Sequence, residues 1–380
     1  MPFREVSTMD ARLEFVTLAA RPGVNVRELC RRYHISPDTA YRLLKRFRLE
    51  GPAGLADRSR RPLKSPGQTP PAMAQEVLAL RDKHPSWGGR KIHHVLRKTH
   101  GPQGAVPAAS TVTDILRRDA RIDPETSPAP FVRFERDCPN DLWQMDFKGP
   151  LASDRGDCHP LTVLDDYSRF NILLEACPDQ KGPRVKAHLT AAFRCYGLPR
   201  QILSDNGTPW GTGWDSVGGL TAMGVWLIRL GVDPIHGRPY HPQTQGKEER
   251  FHRTLKAAVV PGRRYASIEA YGPAFAEFRD SYNLERPHEA LAMAVPASRY
   301  QPSAQRFPET LPPVPYGTED QVRRVQVKGD FEFKGHRYFV TEALAGEHVA
   351  LRATAADGVW DLFFCTRKIA VVNQKDHTLT

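Results

Sequence analysis

Three proline-rich stretches, at residues 51–71, 123–141 and 301–320, cut this chain into four parts, and no single fold can run through them. Proline fixes φ and removes a backbone donor, so helices and central strands stop where it clusters. The apolar pattern also changes across these breaks. Up to residue 122 it has helical period, from Leu142 it reads as strands and then as strands alternating with helices, and after residue 320 it becomes short strands between glycine turns. A chain of 380 residues divided in this way is multidomain.

Residues 8–49 read as three short helices. Leu13, Val16 and Ala20 line the first, Leu29 and Tyr33 the second, and Ala40, Leu43, Leu44 and Phe47 the third. Ser36-Pro37 is an N-cap residue followed by proline in the first turn. The other faces of the third helix carry Thr39, Arg42, Lys45, Arg46 and Arg48. This is a helix-turn-helix plan, whose last helix enters the major groove. In the basic linker that follows, Arg58, Arg60 and Arg61 suit phosphates or a minor groove. Residues 72–121 repeat the pattern with helices at about Ala72–Lys83, after Trp87, and over STVTDILRRD. Consecutive His93 and His94 cannot face one metal from a helix and are expected at the surface. The boundaries are a module at 1–57, a basic linker at 58–71, a second module at 72–122 and a linker at 123–137.

Charge supports the same partner. Residues 1–122 hold 23 Lys/Arg against 11 Asp/Glu, leaving the other 258 residues at −1 of the total +11. A basic excess confined to the first third points to a polyanion.

The middle part, 138–300, begins with the strands LWQMDFKG, PLTVLDDYSRF and NILLEAC. A helix near 182–196, the strand PRQILSDNG, the helix MGVWLIRLG, a short strand at Val232–His236 and a long helix from Gly246 follow. This is an α/β domain with a mixed sheet. Residues 301–320 read as a linker, and 321–380 as a small β-barrel of about five strands.

Three acids stand where such a domain builds sites. Asp146 lies in the first strand, Asp205 ends a strand before the turn-forming Asn206-Gly207, and Glu249 sits in the first turn of the long helix. Strand ends and adjacent helix starts converge on one edge of an open α/β sheet. Three carboxylates there need cations, and Mg²⁺ (or Mn²⁺), two ions per site, suits them. With Phe251 and Leu255 marking the buried stripe of the helix, Glu248 falls at its edge and Glu249 on the polar side. Lys247, His252 and Lys256 lie around this helix, where they suit a DNA backbone or a solvated face, and Gln243, a candidate DNA contact, lies in the loop before it. Asp165 and Asp166 are expected to end a strand and pair with Arg169.

The segments WQMDFKG, LTVLDDYSR, GLPRQILSDNGTPW, HPQTQGKEERFHRTLK and YNLERPHEAL resemble the retroviral-integrase-type catalytic core, a ribonuclease-H-like fold. HPQTQGKEERFHRTLK is the most specific of them, and it resembles the single-frame insertion-sequence transposases (the four-eighty-one group and its relatives) more than viral integrases. The likeness extends to the N-terminal modules and the terminal barrel. It implies that Asp146, Asp205 and Glu249 are the metal-binding triad of a DDE transposase. The 43 residues between Asp205 and Glu249 exceed the usual spacing of viral integrases, the surplus falling in PWGTGWDSVGGL, and there is no zinc module.

The implied activity is recognition of terminal inverted repeats in double-stranded DNA, hydrolysis exposing 3′-hydroxyls, and their attack on target DNA. Pairing two ends implies a homo-oligomer of unstated size, working in a bacterial cytoplasm at the nucleoid. A ribonuclease-H-like nuclease or resolvase, or a non-enzymatic helix-turn-helix regulator, are the alternatives. The six cysteines (30, 138, 158, 177, 195, 365) form no CxxC pair, so reduced thiols are expected. No apolar run reaches the length of a membrane span.

Overall fold

A computed structural model describes residues 7–59, 67–101, 104–122, 135–205, 207, 210, 220–236 and 246–380. The chain divides into two compact units, Met1–Gln68 and Thr69–Thr380.

In the first unit α1 (Thr8–Ala19), α2 (Val26–Arg32) and α3 (Pro37–Glu50) enclose Phe15, Val16, Leu29, Cys30, Ala40, Leu43 and Leu44. Ser36 caps α3 as expected, its Oγ accepting from Thr39 N at 3.2 Å. Leu13 does not point inward. It is 40% exposed, and Phe15 fills the core instead, edge-on to Tyr33 at 5.4 Å. Residues 51–55, read as extended linker, form a 3₁₀ turn that buries Leu55 in this core.

The second unit begins with α4 (Pro71–Lys83), α5 (Gly89–His100) and α6 (Ala109–Arg118), closed around Val77, Trp87, Ile92, Leu96, Val112 and Leu116. His93 is half-buried rather than on the surface, its Nδ1 lying 2.9 Å from Pro107 O. This helical module is packed on the α/β part, not strung beside it. Lys83 and His84 lie 3.9 and 3.6 Å from Glu285, Arg286 Nη1 donates to Ser86 Oγ at 2.9 Å, and Arg90 and Lys91 reach Glu289 at 3.1 and 3.9 Å.

The α/β part is built on the long strand β3 (Gly156–Asp165). It pairs antiparallel with β1 (Leu142–Phe147), with β4 (Asn171–Cys177) and, at its start, with β2 (Leu151–Ser153). On the other edge of β1, β5 (Gln201–Ser204) runs parallel, and β6 (Asp233–His236) runs parallel to β5. The sequence reading started β3 at Pro160 and missed β2, because the Asp154-Arg155 turn carries little apolar signal. Helices α7 (Gly182–Tyr196) and α8 (Ala222–Arg229) cover the sheet through Val185, Leu189, Phe193, Trp226 and Leu227. Phe251, Leu255 and Val259 of α9 (Gly246–Val259) pack with Phe275 and Phe278 of α10 (Tyr271–Asp280) and with Leu164 and Leu174. The result is a six-stranded mixed sheet, as expected for this part of the chain.

Residues 301–320 are no free linker. Ser303 N donates to Tyr196 O and Leu198 N to Gln305 O, at 2.7 and 2.8 Å. Gly197, at φ +78°, admits this strap because a Cβ there would meet the carbonyls of Ser303 and Gln305 at 2.7 Å. The last strands are β7 (Gln321–Arg324), β8 (Asp330–Phe333), β9 (His336–Phe339), β10 (His348–Ala353), β11 (Val359–Phe364), β12 (Arg367–Asn373) and β13 (Thr378–Leu379). They form a five-stranded sheet, β13-β12-β11-β10-β7, with β8-β9 as a separate hairpin, where a small β-barrel was expected. Leu220, Val225 and Ile228 pack into the core of this sheet. All six cysteines are free thiols, with Cys138 and Cys195 exposed. Among the described residues no helix is long and apolar enough to cross a membrane.

Candidate active site

Strand register brings the first two acids together. Parallel pairing sets Leu142 opposite Gln201, Trp143 opposite Ile202 and Gln144 opposite Leu203. Continuing that register by two residues places Asp146 opposite Asp205, on strands about 4.8 Å apart. Asp205 leaves β5 in a turn, with Gly207 N donating to its Oδ1 at 3.1 Å. Glu249 comes from the first turn of α9 and is exposed, whereas Glu248 is only 1% exposed.

Asp146 feels the charges of the other two acids. The Asp146 acid is pushed up to about 6, mainly by burial and then by the charge of Asp205, with Glu249 adding to it. Each negative charge raises the cost of the next, and that cost is what a divalent cation removes. The all-oxygen, all-acidic donor set therefore fits a hard cation. Among the described residues, though, no three His, Cys, Asp or Glu side chains are gathered into a ready ligand cage.

Beneath the acids lies a polar cluster. Thr162, opposite Asp146 on β3, donates to Asp146 O at 3.0 Å and sits 3.1 Å from Glu248 Oε2 and 2.9 Å from His252 Nε2. Burial, followed by the Asp146 charge, holds the Glu248 acid well above its ordinary value. Burial, followed by Lys148, drops the His252 ring to about 4, so it is neutral at pH 7. Read from sequence as a DNA contact, His252 instead faces Thr162 and Asp146. Lys247 was read the same way, yet its ammonium pairs with the buried Asp166. Lys256 is exposed and close enough to Lys148 to lower that lysine's proton affinity, after burial. Sequence reasoning missed Lys148 and Thr162. The signal for Lys148 was its position two residues after Asp146, and for Thr162 there was none short of strand pairing.

Asp165 and Asp166 do not pair with Arg169 through their carboxylates. Asp165 accepts from Asn140 N, Ser168 N and Ser168 Oγ, while the Arg169 guanidinium lies 3.5 Å from Glu135. Backbone geometry explains this: Arg169 has φ +63°, and its N donates to Asp165 O in a tight turn.

On α3, Arg42 and Lys45 are exposed, with Arg42 3.0 Å from Asp38 one turn back. Thr39 is half-buried, its hydroxyl 2.9 Å from Ser36 Oγ. Arg46 turns inward to donate to Ala56 O, and Arg58 pairs with Glu50. Arg60, Arg61 and Gln243 lie outside the described residues.

Known families match along the chain in the same order. Residues 11–62 match a helix-turn-helix domain, 39–116 a homeodomain-like domain, 136–242 and 230–296 two integrase core domains, and 320–380 the C-terminal domain of IS481 family transposases. An insertion element IS476 uncharacterized 39.2 kDa protein of Xanthomonas euvesicatoria is 24% identical over 250 residues, 64% of this chain and 69% of that protein. The Gag-Pro-Pol polyprotein of Mason-Pfizer monkey virus is 33% identical over 124 residues, 32% of this chain and 6% of the polyprotein. Among solved structures, the BIV integrase catalytic core is 21% identical, covering 42% of this chain and 93% of its own, with a TM-score of 0.31. The HTLV-2 integrase catalytic core in complex with magnesium is 12% identical, covering 43% and 98%, with a TM-score of 0.34. Helix-turn-helix matches thus stand ahead of the integrase core, and a domain similar to the C-terminal domain of IS481 family transposases follows it.

Proposed function

We propose that this chain is a transposase that cleaves DNA at the terminal inverted repeats of its element and joins the exposed 3′-hydroxyls to target DNA. The observation that supports this reading is that the Asp146 acid, raised mainly by burial, is raised further by the charges of Asp205 and Glu249, two acids from two other elements. Asp146, Asp205 and Glu249 would hold Mg²⁺ or Mn²⁺, which when bound supplies activation of the attacking oxygen and stabilisation of the departing one. The chain's own residues do the rest. Thr162 fixes the backbone of Asp146 through its carbonyl, and neutral His252 fills the space beneath without adding a charge. Lys148 and Lys256 bring two cations to one side of the site, suited to phosphate oxygens of the bound strand. Arg42 and Lys45 on α3 read or hold the repeat, and pairing two ends calls for more than one copy of the chain.

The test is an end-cleavage and strand-joining assay on a duplex carrying the repeat, with wild type and Glu249→Gln. Wild type is expected to perform both steps and Glu249→Gln neither, while binding the duplex equally. Cleavage without joining would make the chain a nuclease, and full activity in Glu249→Gln would remove the triad.

A further inference from the structure

Asp166 follows β3 and is fully buried, a costly position for a carboxylate. Its backbone N donates to Leu142 O at 2.9 Å, which ties it to the start of β1. Its Oδ1 accepts from Gln144 Nε2 at 2.6 Å and from Lys247 Nζ, and its Oδ2 from Arg136 N at 2.8 Å. Arg169 and Glu135, themselves 3.5 Å apart, complete the surroundings.

The two side-chain donors share a relation to the site. Gln144 stands two residues before Asp146 on β1, and Lys247 two residues before Glu249 on α9. On a strand, residues two apart share a face, so fixing Gln144 fixes the pitch of the face that carries Asp146. On a helix, the first turn has no intrahelical acceptors for its N–H groups and frays unless something holds it. Lys247 is such a holder: its side chain is 17% exposed and runs back to Asp166. A buried ion pair adds little net stability once its desolvation is counted.

We infer that Asp166 is a positioning residue that sets the spacing of Asp146 and Glu249 by clamping β1 through Gln144 and α9 through Lys247. This rests on the triad reading above. Asp166 touches none of the reacting atoms and acts only through the two donors.

The experiment measures Mn²⁺ binding to the full chain without DNA, by the loss of the free-ion paramagnetic signal, for wild type, Asp166→Asn, Lys247→Gln, Lys247→Arg and Glu249→Gln. Thermal midpoints are recorded beside it, and binding is read well below each midpoint. Asp166→Asn and Lys247→Gln are expected to weaken Mn²⁺ binding about tenfold, as loss of a ligand-orienting partner does. Lys247→Arg keeps a cation and is expected within about threefold of wild type on the same reasoning. Wild-type Mn²⁺ affinity in folded Asp166→Asn or Lys247→Gln, with binding lost in Glu249→Gln, would overturn the clamp and leave the triad standing. Wild-type affinity in Glu249→Gln would instead sink the triad reading and the clamp with it. If Asp166→Asn does not fold, Lys247→Gln decides alone, since Lys247 reaches solvent and tolerates a neutral replacement.

Discussion

Glu248 and Glu249 are adjacent in sequence and opposite in environment. Glu248 is sealed under the site, its proton affinity raised by burial and by the Asp146 charge, while Glu249 is exposed at the rim. Gln keeps the shape of the buried Glu248 side chain, so Glu248→Gln should keep most strand cleavage and lose under about 1 kcal/mol of stability. A dead but folded Glu248→Gln, assayed beside Glu249→Gln, would show that the two roles are exchanged. Asp146 makes a second prediction possible. Its folded-state pKa, about 6, lies above the ordinary carboxylate value of 3.8, so the folded chain holds the proton longer than the unfolded one. The penalty is absent below pH 4, grows as pH rises through that window and is complete above about 7, at on the order of 3 kcal/mol. The thermal midpoint of metal-free wild type should therefore fall between pH 4 and 7 relative to Asp146→Asn. Parallel curves for the two proteins would mean that Asp146 ionises as an ordinary surface acid.

Helix α3 separates two arginines that composition treats alike. Arg42 projects outward beside Lys45, while Arg46 closes the module by donating to Ala56 O. Arg42→Ala should cost roughly 1–3 kcal/mol of discrimination between repeat and random DNA, with little change in melting. Arg46→Ala should act mainly on the thermal midpoint, because it orphans a carbonyl and loosens the 3₁₀ turn that buries Leu55. Equal loss of specific and random binding in Arg42→Ala would reduce it to a phosphate contact. Helix α8 shows another division of labour. Trp226 and Leu227 belong to the α/β core, while Val225 and Ile228 belong to the core of the terminal sheet. One short helix thus joins the two hydrophobic clusters, and its apolar residues face both ways.

At the scale of the whole molecule, the basic excess of the first third is shared between two differently held modules. Residues 1–68 form a compact unit of their own, with 14 Lys/Arg against 7 Asp/Glu. Residues 69–122 belong to the unit of the integrase core, anchored at Glu285, Arg286 and Glu289. The fragment 1–68 is therefore expected to fold alone and bind DNA. Its affinity should fall about tenfold or more between 50 and 200 mM salt as counterions are released. Affinity that stays flat over that range would remove the electrostatic argument. The fragment 69–122, cut from its anchors, should melt at a lower temperature than the same residues within 69–380.

Local signals were enough to place most elements. Capping at Ser36-Pro37, the helical period of α3 and α9, and the apolar runs of β1, β3 and β5 are each written in a few neighbouring residues. The outward direction of Glu249 was legible for the same reason, since helix phase follows from Phe251 and Leu255 alone. What the sequence could not show depends on residues far apart in the chain. Lys247 is a surface cation by composition, and only the approach of Asp166, 81 positions earlier, turns it into a buried partner. Thr162 became part of the site through strand register with Asp146, and the proline-rich 301–320 became a strap through bonds to Tyr196 and Leu198. That α8 adds Val225 and Ile228 to the core of the terminal sheet was likewise not legible, because those residues lie about 100 positions before its strands. Short-range patterning selects helix, strand or turn, but which charges are buried, and against what, is decided only when distant elements exclude water between them.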